Sequence, residues 1–124
     1  MTDAIYNELR TIRSRIESIE KTQEVLVRAE ADRILAGLLP IFRADLAMAK
    51  VYLAVDGRKG QRDIGTEIGV SEATVSRKIE KLRELDLVEL VDRTASGNIY
   101  ARTTIDRLLR LSRRVRAVIA EAAG

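Results

Sequence analysis

Neither cysteine nor histidine occurs in the 124 residues. Their absence excludes disulfides, thiol nucleophiles, Cys/His zinc sites and any catalytic pair built on an imidazole base. Aromatic residues make up only 3% of the chain, so a core must be assembled from Leu, Ile, Val and Ala. A single proline and seven glycines leave little material for long loops. No apolar run approaches the ~20 residues that a membrane helix requires. The N-terminal MTDAIYNELR lacks a basic region followed by an apolar one, so no secretory signal is legible. The expectation is a cytoplasmic chain with no cofactor, metal or membrane partner. What is present is 46% hydrophobic and 33% charged residues, a composition that favours helices around one small core.

The net charge is +3, and its distribution carries more than its size. Residues 1–43 and 44–86 each balance their acids and bases. Residues 87–124 hold seven arginines against four acids and supply the whole surplus. A local basic excess is the footprint of a polyanion partner. An arginine-rich solvated helix face accounts for the last helix equally well.

Residues 3–30 read as a long amphipathic helix. Ile5, Ile12, Ile19 and Leu26 recur every seven residues, with Leu9, Ile16 and Gln23 on the alternate seam position. That repeat predicts a coiled-coil dimerisation seam formed by Ile5, Leu9, Ile12, Ile16, Ile19 and Leu26. Glu8 would face Arg13, and Arg15 would face Glu20, across a parallel in-register pair. A helix packed on its own domain is the alternative. Helical character continues through 31–39 to Pro40, where a break is expected because proline lacks the N–H and suits a first turn. A second helix is then predicted from about Pro40 to Val55, ended by Asp56-Gly57.

Residues 61–68 predict a short helix with Ile64 and Ile68 inward. Gly69-Val70-Ser71 interrupts it, with Gly69 suited to positive φ and Ser71 to an N-cap. Residues 72–85 predict the next helix, whose apolar face is Val75, Ile79, Leu82 and Leu85. A β-branched segment from 88, a turn at Ala95-Ser96-Gly97-Asn98 and a returning segment to 103 predict a two-stranded hairpin. A single last helix is expected from Thr104 to about Ala122, with an Arg107, Arg110 and Arg114 stripe. The predicted class is therefore mainly α with a small β-hairpin wing: a winged helix-turn-helix with a long N-terminal coiled-coil-like helix and a C-terminal helix. The expected divisions are 1–39 for dimerisation, 40–103 for the winged helix-turn-helix, and 104–124 for a C-terminal helix that can add to the dimer.

Two short helices joined by Gly-Val-Ser form a helix-turn-helix. The second would present Glu72, Ala73, Thr74, Ser76, Arg77, Lys78 and Lys81 outward. Short polar side chains at its start permit close approach to base edges, and cations one to two turns later reach phosphates. The run DIGTEIGVSEATVSRKIEKLRELDLVEL resembles the winged helix-turn-helix regulators of the MarR/ArsR-like superfamily over about 44–103. The resemblance implies double-stranded DNA as partner. It implies that Ser71, Thr74, Ser76 and Arg77 approach the DNA, and that the wing-tip residues Arg93, Ser96, Gly97, Asn98 and Arg102 lie along the backbone or minor groove. The chain departs from the pattern in lacking the Cys/His sites of metal-sensing members. It also carries Gly65 where Ala is usual, a mild loss of helix propensity.

No carboxylate pair stands in an apolar setting that would perturb it, and Gly57 to Gly60 lacks a P-loop ending. The chain is thus expected not to be an enzyme. It is expected to be a homodimeric DNA-binding transcription regulator, with no effector pocket legible. The alternatives are a winged-helix adaptor in a transcription assembly and a nonspecific architectural DNA binder.

Overall fold

The computed structural model describes residues 30–95 and 97–124. The heptad positions Ile5, Leu9, Ile12, Ile16, Ile19 and Leu26 lie outside the described residues, as does Ser96. The first described helix, α1, covers residues 30–44. Leu35 and Phe42 are buried, and Ala31, Ile34, Leu38 and Leu39 pack beside them at three- and four-residue spacing.

The helix runs through Pro40, contrary to the expected break. Proline removes one bond to the carbonyl four residues earlier. Here both Ala36 and Pro40 are on the exposed side, so water can satisfy that carbonyl. The chain breaks instead at Asp45, whose carboxylate Oδ1 accepts the Met48 N–H at 3.0 Å and starts α2 (Leu46–Ala54).

Helix α2 is apolar on nearly every side and sits at the centre. Met48, Ala49, Val51, Tyr52 and Ala54 are buried, and α3, α4 and α6 pack on it. The Phe42 and Tyr52 rings meet at 5.6 Å, joining α1 to this centre. After α2 the Asp56 carboxylate accepts the Arg58 and Lys59 N–H groups, both at 2.9 Å, and turns the chain.

Helix α3 (Gln61–Ile68) follows and ends at Gly69, which takes the left-handed conformation at φ 77°. Helix α4 (Glu72–Glu84) starts on Ser71 and buries Val75, Ile79 and Leu82. It stops in a Schellman motif: Leu87 N–H reaches the Leu82 carbonyl, and Asp86 N–H reaches that of Arg83, both at 2.9 Å. Asp86 occupies the left-handed position, at φ 60°.

Strands β1 (Val88–Thr94) and β2 (Gly97–Arg102) form an antiparallel hairpin. Leu90 pairs with Tyr100 and Asp92 with Ile99, so Val91 is the extra residue of a bulge and is exposed. A bridge from Gly60 to Ile99 ties the hairpin to the start of α3.

The last segment is two helices, not one: α5 (Thr104–Leu109) and α6 (Leu111–Ala123), separated by Arg110 at φ 52°. Leu109 and Leu111 are both buried. On one continuous helix they would point about 200° apart, so the chain must reset its phase between them. The Asp106 carboxylate secures the reset by accepting the Ser112 N–H at 2.8 Å. Helices α3 and α4 with the following hairpin make a winged helix-turn-helix. No described helix is long and apolar enough to cross a membrane.

Candidate nucleic-acid interface

The turn between α3 and α4 determines how far α4 stands from the body. A Cβ built on Gly65 would lie 2.7 Å from the Val70 carbonyl oxygen. That carbonyl belongs to the turn, and Val70 N–H itself donates to the Gly65 carbonyl at 2.9 Å. Gly65 is therefore a close-approach position and not a mild propensity defect, which corrects the expectation from sequence.

With Val75, Ile79 and Leu82 at most 1% exposed beneath it, α4 turns its other side to solvent. Ser71, Glu72, Ala73, Ser76, Arg77 and Lys81 are exposed there, and Thr74 and Lys78 are half-buried. Ser71 Oγ accepts the Thr74 N–H at 3.1 Å, and the two hydroxyls lie 2.9 Å apart. Arg77 Nη2 donates to Thr74 Oγ1 at 3.2 Å. Ser71, Thr74 and Arg77 thus form one ordered polar row, and the guanidinium has five N–H groups in all to offer. Glu72 lies 3.7 Å from Arg62, which sits in the first turn of α3. Arg62 escaped the sequence reading, and its only signal there was its place as the second residue of the predicted helix 61–68.

The lysines of α4 are less available than their spacing suggests. Lys78 Nζ donates to Asp45 Oδ2 at 2.8 Å, and Lys81 Nζ lies 3.7 Å from the same oxygen. Burial pushes the Asp45 carboxyl up. The hydrogen bonds from Lys78 and Met48 and the charges of Lys78 and Lys81 outweigh it and hold the group below its ordinary value. Asp45 therefore caps α2 and moors α4 at once, a role not legible while a helix was expected to run through it.

The hairpin brings Arg93 opposite Asn98, both exposed, and Thr94 opposite Gly97. Thr94 Oγ1 donates to the Gly97 carbonyl at 3.0 Å and closes the tip. Arg102 does not belong to that tip. It pairs with Val88 at the base, is half-buried, and donates to Ser112 Oγ at 2.8 Å. Its guanidinium stands 5.9 Å from the Tyr52 ring centroid. Asp106 Oδ1 accepts from Tyr52 OH and Ser112 Oγ, both at 2.6 Å. Burial, then the Asp106 bond, pushes the Tyr52 phenol up. For Asp106, burial works upward but the Ser112 and Tyr52 bonds and the Arg102 charge hold the carboxyl below its ordinary value. This cluster fastens the base of the wing to α2, α5 and α6.

The sequence-predicted residues thus separate into three groups. Ser71, Glu72, Thr74, Ser76 and Arg77 share one outward surface. Arg93 and Asn98 lie together on the wing. Lys78, Lys81 and Arg102 are engaged by the molecule's own groups. Among the described residues no group of three or more acids converges to hold a metal ion.

No protein-family model matches the chain, and no curated protein does. One solved structure, that of the transcriptional regulator PA3341, is similar over 86% of this chain and 77% of that one, with 23% identity and a TM-score of 0.46.

Proposed function

We propose that the chain is a duplex-DNA-binding transcription regulator in which α4 reads the major groove and the hairpin follows the adjacent backbone. One observation carries the reading: α4 stands on a fully buried aliphatic face while Ser76 and Arg77 are on its solvent side, beside half-buried Thr74 and the exposed cap Ser71. Short side chains at the start of a protruding helix let its axis come near base edges, and an arginine one turn on can reach a guanine edge or a phosphate. Arg93 and Asn98 extend the contact along the wing.

The working unit in this reading is a homodimer joined through residues 1–39, with 40–103 as the reading unit and 104–124 flanking it. Two-fold symmetry then calls for an inverted repeat with half-sites about 10 base pairs apart. Selection from a random duplex pool tests this: enrichment of such a repeat supports it, and an unenriched pool contradicts it. Ile12→Asp or Ile16→Asp converts the dimer to monomers in sedimentation if the N-terminal seam joins the copies. A variant that still sediments as a dimer places the contact elsewhere.

The mooring of Lys78 and Lys81 by Asp45 favours a second reading, a winged-helix adaptor that meets a protein and not a groove. A gel shift on random duplex separates the two, since phosphate contacts weaken steeply with salt and an adaptor gives no shift.

A further inference from the structure

Arg107 on α5, Arg110 between the two helices, and Arg113, Arg114 and Arg116 on α6 are all exposed. The acids of residues 104–124 are Asp106 and Glu121, so this stretch alone carries a surplus equal to the net +3 of the chain. Asp106 is in turn engaged by Tyr52 and Ser112. Elsewhere some of the described cations pair nearby, Arg33 with Glu30, Lys59 with Glu67, Arg62 with Glu72, Lys78 with Asp45 and Arg83 with Glu80, while Arg43, Lys50, Arg58, Arg77, Arg93 and Arg102 form no ion pair among the described residues. Among the described residues, Arg110, Arg113, Arg114 and Arg116 make no ion pair.

Arg110 adds an independent sign. It occupies a left-handed backbone position, at φ 52° and ψ 43°. Glycine or asparagine fills such a position with less strain.

We propose that Arg110, Arg113, Arg114 and Arg116, at the start of α6 and along it, form a second phosphate-binding surface for duplex DNA, away from the helix that reads the groove; the inference rests on the reading of α4 given above. Helix α4 is poorly equipped to supply phosphate attraction by itself. Its four cations face three acids of its own, Lys78 is held by Asp45, and Lys81 lies within ion-pair distance of the same carboxylate. Sequence-independent affinity for DNA comes from cations that neutralise phosphates and release counterions. Guanidinium forks match phosphate oxygens two at a time, and these residues are all arginine.

A lipid surface fits less well. An interfacial helix needs bulky apolar side chains beside its cations. Leu111, Val115 and Val118 are buried in the protein's own core, and the exposed apolar residues of α6 are the alanines Ala117, Ala120, Ala122 and Ala123.

The test is the salt dependence of binding to a 30-base-pair random duplex, measured from about 50 to 200 mM salt with the full chain. The combined variant Arg110→Gln, Arg113→Gln, Arg114→Gln and Arg116→Gln is compared with the unaltered chain and with the matching four-lysine variant. The slope of log affinity against log salt is expected to fall by about 3–4 for the glutamine set and to be largely kept by the lysine set. The milder pair Arg113→Gln and Arg116→Gln lowers it by about 2 and serves if the larger set fails to fold by circular dichroism. An unchanged slope overturns the proposal while leaving the reading of α4 standing. A loss of self-association in the glutamine set, with the slope kept, assigns the surface to contact between copies or with an acidic protein and also overturns it. Absence of binding by the unaltered chain to any duplex overturns both readings.

Discussion

At the scale of single residues, Gly65 decides more than its place in a helix suggests. Helix propensity alone predicts that Gly65→Ala stabilises by up to about 1 kcal/mol. The 2.7 Å approach of the Val70 carbonyl predicts the reverse. That oxygen is main chain inside a three-residue turn, so it can yield only by moving the start of α4. Overpacking of this kind costs roughly 1–3 kcal/mol, and urea unfolding of Gly65→Ala is expected to show a net loss of that order. A gain in stability would mean that the turn is softer than its geometry indicates. The sequence could not show this, because the clash is with an atom five residues away that only the folded turn brings close.

At the scale of elements, α4 is moored to the α1–α2 junction and the wing base to α5 and α6. Asp45→Asn isolates the first mooring, since asparagine caps a helix about as well as aspartate but carries no charge for Lys78 and Lys81. Their release to DNA is expected to raise the salt slope of duplex binding by about 1–2, and an unchanged slope would place both lysines out of reach of phosphate. Acid stability reports the same carboxylates. Asp45 and Asp106 titrate below their ordinary value of 3.8 in the folded chain. Their contribution is therefore complete above the ordinary carboxylate range and is lost as pH falls through the lowered values. Loss of stability below about pH 4 should be shallower in Asp45→Asn, and an identical acid limb would remove Asp45 from the balance. Helices α3 and α4 and the hairpin were legible because each has a local signal: Gly69, the Ser71 cap, and β-branched residues flanking a glycine turn. The junctions were not. Pro40 lies on an exposed side where its missing bond does little harm, and the reset at Arg110 follows from burying Leu109 and Leu111 together, which no local pattern reveals.

At the scale of the whole molecule, function depends on where charge is left unsatisfied. The sequence shows the surplus in the C-terminal third, but not which cations are spoken for. Lys78 and Arg102 carry the right charge at suitable spacing and are occupied internally, by Asp45 and by Ser112, while Lys81 is exposed and only within ion-pair distance of Asp45. Arg77, Arg93 and the arginines of α6 are among those that face outward. The central claim is that the outward face of α4 reads a duplex. It is tested most directly by the affinity of Arg77→Ala for the best duplex from the selected pool, measured beside a random duplex at fixed salt. Loss of one specific arginine contact costs about 1–3 kcal/mol, so binding to the selected duplex should weaken between several-fold and a hundredfold while the random duplex changes little. Equal affinity of the variant and the unaltered chain for the selected duplex would contradict the account.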